Sequence, residues 1–254
     1  PCRVHAGGYA DFADCGLVIL AAGTNQRPGE TREALLGRNR AILQSILEQL
    51  TAVNRDAVLL VVSNPVDVLT GYTLELSGFP AERVIGSGTV LDTARIKCLL
   101  GEKLGVDSRN VHAFMLGEHG DSEVAVWSSA NISGADLDDF CLAAGIDDPE
   151  SMLASLAREV THAAYDIIER KGATCYGIAM AVRRIAEAII RDEHAVLPVS
   201  TLARGAYGIE GVCLGLPAVV GRSGVSRVLD LPLSRDETER LLASAHKLKT
   251  LMEG

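Results

Sequence analysis

The sequence has no run of lysine and arginine longer than a pair such as Arg183-Arg184, and its formal net charge is −9. Nothing in it can neutralise a track of phosphates, which argues against a nucleic-acid partner. No apolar stretch approaches the ~20 residues of a membrane-spanning helix. The longest, GLVILAAG from Gly16, is strand-sized, so no membrane role is expected. Six cysteines (Cys2, Cys15, Cys98, Cys141, Cys175 and Cys213) are scattered and never form a C-x-x-C pair. They read as reduced thiols, not a disulfide framework, and no metal site is expected. No charged segment followed by a short apolar one marks a secretion signal, and a cytoplasmic location is expected. The G-x-G-x-x-G loop of dinucleotide-binding folds is also missing.

What is present is a chain of 254 residues, 48% hydrophobic and 22% charged, enough for one large α/β domain or two smaller ones. CGLVILAAG (Cys15–Gly23) and AVLLVVSNP (Ala57–Pro65) are short, continuous apolar runs, as buried parallel strands require. Between them lies EALLGRNRAILQSILEQLTAV, whose leucines and isoleucines recur at helical spacing. A short helix from Val66 and the strand RVIGSG complete an alternating pattern, which predicts a Rossmann-like, doubly wound parallel sheet. From about Thr89 the pattern changes to helices and strands without strict alternation, predicting a second, α+β substrate domain. The expected division is 1–88 and 89–254.

Ligands of such sheets bind beyond the carboxyl ends of the strands, where GTNQRPGETR and SNPVD lie. GSGTVL at Gly86 comes closest to a phosphate loop, but it lacks the third glycine and follows several strands, so it reads as a strand-to-helix turn. The chain starts at Pro1 and not at Met, which places the first βαβ unit upstream as an expectation. Without that unit the apolar faces of CGLVILAAG and AVLLVVS would be left bare.

Candidate chemistry gathers around one histidine in LGEHGDSEVAVWSS (Leu116–Ser129). LDTAR puts Asp92 and Arg95 three apart, on one face of a helix. An aspartate there can fix the tautomer of an imidazole and favour its protonated form. An arginine beside it offers a planar fork to a carboxylate. Taken alone, the pair reads more readily as an intrahelical surface ion pair, and His119 as a satisfied core histidine. The polar loop NQRPGETR holds a Pro28-Gly29 hinge between arginines and can close over a site, or simply be solvated.

Taken together, GTNQRPGETR, SNPVDVLT, GSGTVLDTARIKCLLGEKLG, VHAFMLGEHGDSEVAVWSS and IIERKGATCYGIAMAVRRI settle the matter. In order and spacing they resemble the bacterial L-lactate dehydrogenases of the lactate/malate dehydrogenase family, from about Tyr9 to the C-terminal helix. The resemblance implies NAD as cofactor and pyruvate or (S)-lactate as substrate. It makes His119 the acid/base, Asp92 its orienting carboxylate, and Arg95 the anchor of the substrate carboxylate. Arg32 corresponds to the loop arginine that polarises the carbonyl, and Asn64 and Thr174 to substrate contacts. Tyr9, Gly23, Thr24, Ser45, Val62, Ser63, Asn64 and Ser87 correspond to cofactor contacts. The glycine fingerprint and the ribose-binding acid would then belong to strands upstream of Pro1. A homotetramer and a place in glycolytic fermentation are also implied.

Two positions refine this. Gln26 stands where the family's lactate enzymes carry a neutral amide and its malate enzymes an arginine; a neutral amide leaves a second substrate carboxylate unpaired. Lys97 and His112 correspond to a pair that binds fructose 1,6-bisphosphate in many bacterial members. The usual residue at position 97 is arginine, and lysine keeps its charge but loses the fork. The competing readings are a malate or other 2-hydroxyacid dehydrogenase, and a shortened chain without catalytic activity.

Overall fold

A computed structural model describes residues 2–24, 32–172 and 174–253, the side chains of Arg32, Glu33 and Glu253 excepted. Its first part alternates as expected: β1 (Leu17–Leu20), α1 (Arg32–Thr51), β2 (Val58–Val61), α2 (Val66–Ser77) and β3 (Val84–Gly86). The three strands pair in parallel, Leu17 beside Val58 and Leu59 beside Val84. β2 shows why its run is unbroken. Leu59 and Val61 pack with Leu43 and Leu47 of α1 and Leu69 of α2. Val58 and Leu60 point to the opposite face, against Ala181, Ile185 and Ala188 of α6 (Tyr176–Ile190). With helices on both faces, both sets of alternate side chains must be apolar.

Next come α3 (Val90–Leu104), which ends at Gly105, and the antiparallel sheet of β4 (Val111–Leu116), β5 (Val124–Ile132) and β6 (Ala135–Asp136). α4 (Leu137–Ala143) and α5 (Pro149–Lys171) cover that sheet, burying Leu137, Met152, Leu153 and Leu156 in a separate core. β7 (Ala195–Arg204), β8 (Glu210–Gly221), β9 (Gly224–Val228) and α7 (Arg235–Glu253) follow α6. The GSGTVL segment is indeed a turn between β3 and α3.

Of the strands read as belonging to the second unit, β4, β5 and β6 form their own sheet, but β7, β8 and β9 join the first one. β7 docks antiparallel on β3, Gly86 beside Ser200, giving one six-stranded sheet in the order β1-β2-β3-β7-β8-β9. This closes the outer edge of β3, whose ladder groups would otherwise lack partners. The expected bare face needs correction at β2 but not at β1. Every residue of β2 is fully buried, because α1 and α2 cover one side and α6 the other; on β1 the exposed apolar residue is Ile19, at 44%. All six cysteines are unpaired. Among the described residues no helix is long and apolar enough to cross a membrane.

Candidate active site

The position of His119 follows from how the loop after β4 is pinned. Gly117 exchanges two main-chain hydrogen bonds with Gly215 of β8, at 2.9 and 2.8 Å. Its φ is +93°, and a Cβ there would stand 2.8 Å from Ser244 Oγ, so glycine is required on both counts. The N–H of Glu118 donates to Ser244 Oγ of α7 at 2.9 Å. Its buried carboxylate accepts from Lys247 Nζ at 2.5 Å and from the Ser122 hydroxyl.

α3 is stitched to the end of the same strand. Thr89 Oγ1 donates to the carbonyl of Met115 at 2.5 Å, and the Met115 N–H donates to Thr93 Oγ1 at 2.9 Å. The first turn of α3 therefore lies against the residues just before His119. Asp92, on that turn, divides its buried carboxylate between two partners. Oδ2 is 2.6 Å from His119 Nδ1, and Oδ1 accepts from Arg95 Nη1 at 3.1 Å. The second bond realises the i,i+3 geometry read from LDTAR. It uses one of the five guanidinium N–H groups.

Burial alone would lower the proton affinity of His119. The hydrogen bond and charge of Asp92, joined by Asp67 and Glu123, outweigh it and set the imidazole pKa at about 9. Two further acids belong to the cluster. Asp67, on the first turn of α2, accepts the His119 N–H on Oδ2 at 2.8 Å and the Ser200 hydroxyl on Oδ1 at 2.6 Å. Burial raises its pKa to about 6, against the pull of these bonds. Glu123 immediately precedes the buried end of β5 and accepts from Thr161 Oγ1 of α5 at 2.8 Å. Burial first, then the charge of Asp92, push it up to about 8.

A cleft of about 440 Å³ opens at the carboxyl ends of β1, β2 and β3. Gly23, Thr24, Val62, Ser63, Asn64 and Ser87 line one side, Arg95, His119 and Thr174 the other. Asn64, Arg95 and His119 also line an adjoining space of about 190 Å³ that reaches Glu123 and Thr161. Asn39 holds the mouth in shape, accepting the Thr24 N–H on Oδ1 at 2.9 Å. Gly23 leaves the cleft its width, since a Cβ there would press within 3.3 Å of Ser63. Polar groups at strand ends facing a histidine and an arginine fit the nicotinamide end of an NAD molecule.

Other expected residues lie apart. Tyr9 lines a neighbouring hollow with Phe12 and Ile46, and Ser45 is exposed on α1. Lys97 is half-buried on α3 and His112 exposed on β4, both outside the cleft. Gln26 lies outside the described residues; Arg32 opens α1, but its side chain is outside them. A larger groove of about 1000 Å³ beside β7–β9 contains none of the expected site residues.

Sequence reasoning missed Asp67, Glu123, Thr161 and Asn39. The first two had a signal: a carboxylate inside the apolar stretch VDVLT, and another heading the buried strand VAVW.

The chain belongs to the lactate/malate dehydrogenase family. The family's NAD-binding domain matches residues 1–86, and its α/β C-terminal domain matches 89–254. Within the family it is similar to L-lactate dehydrogenases. That of Clostridium perfringens is 49% identical over 246 residues, spanning 97% of this chain and 78% of the relative. That of Streptococcus gordonii is 51% identical over 253 residues, spanning 100% and 77%. The minor L-lactate dehydrogenase of Enterococcus mundtii, solved with ligands bound, superposes with a TM-score of 0.93 at 43% identity, over 97% of this chain and 78% of that one.

Proposed function

We propose that this chain is an NAD-dependent L-lactate dehydrogenase, interconverting pyruvate and (S)-lactate. The observation that carries the reading is the divided carboxylate of Asp92, which holds an imidazole and a guanidinium side by side at one wall of the cleft. Reduction of a 2-oxo acid needs a proton at oxygen and an anchor for the carboxylate. With Nδ1 engaged by Asp92, Nε2 of the protonated His119 is left to give its proton to the carbonyl oxygen, and to take it back in the reverse direction. The remaining N–H groups of Arg95 suit a bidentate hold on the substrate carboxylate. The NAD nicotinamide, when bound, supplies or accepts the hydride. Asn64 and Ser63 would orient the reacting end from the tip of β2, and Thr174 would close the substrate side. Arg32, by its family position, would polarise the carbonyl, and Gln26 would exclude a second carboxylate.

In this reading residues 1–88 carry the cofactor side and 89–254 the catalytic side. A cytoplasmic homotetramer at the fermentative end of glycolysis is the setting that the family supports. Lys97 and His112 are proposed as a fructose 1,6-bisphosphate site. That sugar is expected to lower the pyruvate KM, and Lys97→Met to abolish the response. The reading as a whole is tested by steady-state oxidation of NADH with pyruvate and with oxaloacetate. Pyruvate is expected to be preferred, and His119→Asn to lose at least about a hundredfold in kcat, the low end for an acid/base group. Turnover of His119→Asn near the parent's would end the assignment.

A further inference from the structure

Asp67 is 2% exposed, yet it is a carboxylate. Among the described residues no lysine or arginine ion-pairs with it. Its neighbours are the His119 N–H, the Ser200 hydroxyl on β7, the Glu118 carboxylate and the Cys213 thiol on β8. A neutral amide could satisfy the same N–H and hydroxyl without the cost of burying a charge. The cation whose charge the structure sets against it is the ring of His119 when protonated. That ring is itself bound at Nδ1 by Asp92 of α3, with Arg95 of α3 and Glu123 just before β5 nearby.

The placement is equally specific. Asp67 lies on the first turn of α2, three residues after Asn64, which lines the cleft. It thus joins three separate elements: the start of α2, the loop that carries His119, and β7.

We propose that Asp67 is a positioning residue for the acid/base step: its carboxylate anchors the main chain of His119 to the cleft floor, and its charge favours the imidazolium. This rests on the acid/base reading of His119. Asp67 touches neither substrate nor cofactor; it acts through the histidine. Burial raises its proton affinity, but its pKa of about 6 leaves it mainly ionised at neutral pH, as the role requires.

Two variants of the full chain separate the two parts. Asp67→Asn keeps both hydrogen bonds, its Oδ1 accepting from His119 and its Nδ2 donating to Ser200 Oγ, but loses the charge. Asp67→Ala loses everything. Each is measured well below its own Tm, with NADH Kd from fluorescence and kcat/KM for pyruvate as a function of pH. Asp67→Asn is expected to move the alkaline limb of the pyruvate profile toward acid by about half a pH unit or more, as loss of one nearby charge should. Asp67→Ala is expected to lose at least tenfold in kcat beyond Asp67→Asn, with NADH Kd within threefold of the parent.

If Asp67→Ala does not fold, Ser200→Ala serves instead. It removes a bond that favours the ionised acid, so activity should fall away at a higher pH on the acid side. An alkaline limb unmoved in Asp67→Asn, while His119→Asn is inactive, overturns this proposal alone. So does equal kcat in the asparagine and alanine variants, or an acid limb unmoved in Ser200→Ala. Full turnover in His119→Asn overturns both this and the acid/base reading.

Discussion

The ammonium of Lys247 lies 2.5 Å from the carboxylate of Glu118, so the C-terminal helix holds the residue immediately before His119. Glu118 is only 7% exposed at its side chain, whereas Lys247 is 37% exposed. Losing the lysine would take an ammonium away from a buried carboxylate that also accepts from the Ser122 hydroxyl. Lys247→Met, which keeps the apolar stem, should destabilise the chain by about 1–3 kcal/mol. It should also lower kcat more than it raises the NADH KM, because the tether ends on the histidine loop and not at the strand ends. A variant with the parent's Tm and kcat would mean that the pair only decorates the surface of α7.

A second prediction concerns pH. The pKa of His119 is raised to about 9, chiefly through Asp92, so the imidazolium needed for pyruvate reduction persists well above neutrality and is lost as pH rises through 9. The value of kcat/KM for pyruvate should be flat near neutrality and fall about tenfold per pH unit above 9. Removing the charge with Asp92→Asn takes away the main support of the proton, and burial, which opposes it, remains. The limb should then move below neutrality. A limb at the same pH in both proteins would show that another group controls it; the profile belongs to the coupled cluster as a whole.

How much of this was legible in the sequence depends on the kind of interaction. The parallel strands and long helices could be read because period and length are local properties of the chain. β2 is a clear case: its unbroken apolar run already demands cover on both faces. The attachment of β7 to β3 was not readable. It joins residues more than a hundred positions apart through backbone groups that every sequence has. In the site, Asp92 and Arg95 were legible because one helical turn brings them together. Asp67 was not, because its partners, His119 and Ser200, come from two other elements. Only the assembled fold puts those three in contact.

The last prediction concerns the acid that the proposed mechanism does not use. Glu123 is 7% exposed, faces the ionised Asp92, and has a pKa of about 8 against 4.5 for an ordinary glutamate. Thr161 Oγ1 donates to Glu123 Oε1 at 2.8 Å and so favours the ionised form, but burial and the charge of Asp92 outweigh it. As pH rises from about 4.5, the unfolded chain releases this proton while the folded chain keeps it, until about 8. Stability from this group is therefore full at acid pH and is lost across that window. Glu123→Gln replaces the acid by an amide of the same shape whose Oε1 can still accept from Thr161 and which does not titrate. Its Tm relative to the parent should rise between pH 5 and pH 8.5, by on the order of 5 °C for a chain of this size. Melting curves of both proteins across that range decide it. A Tm difference constant with pH would mean that Glu123 is already ionised in the folded protein at acid pH, with Arg95 and His119 compensating its burial.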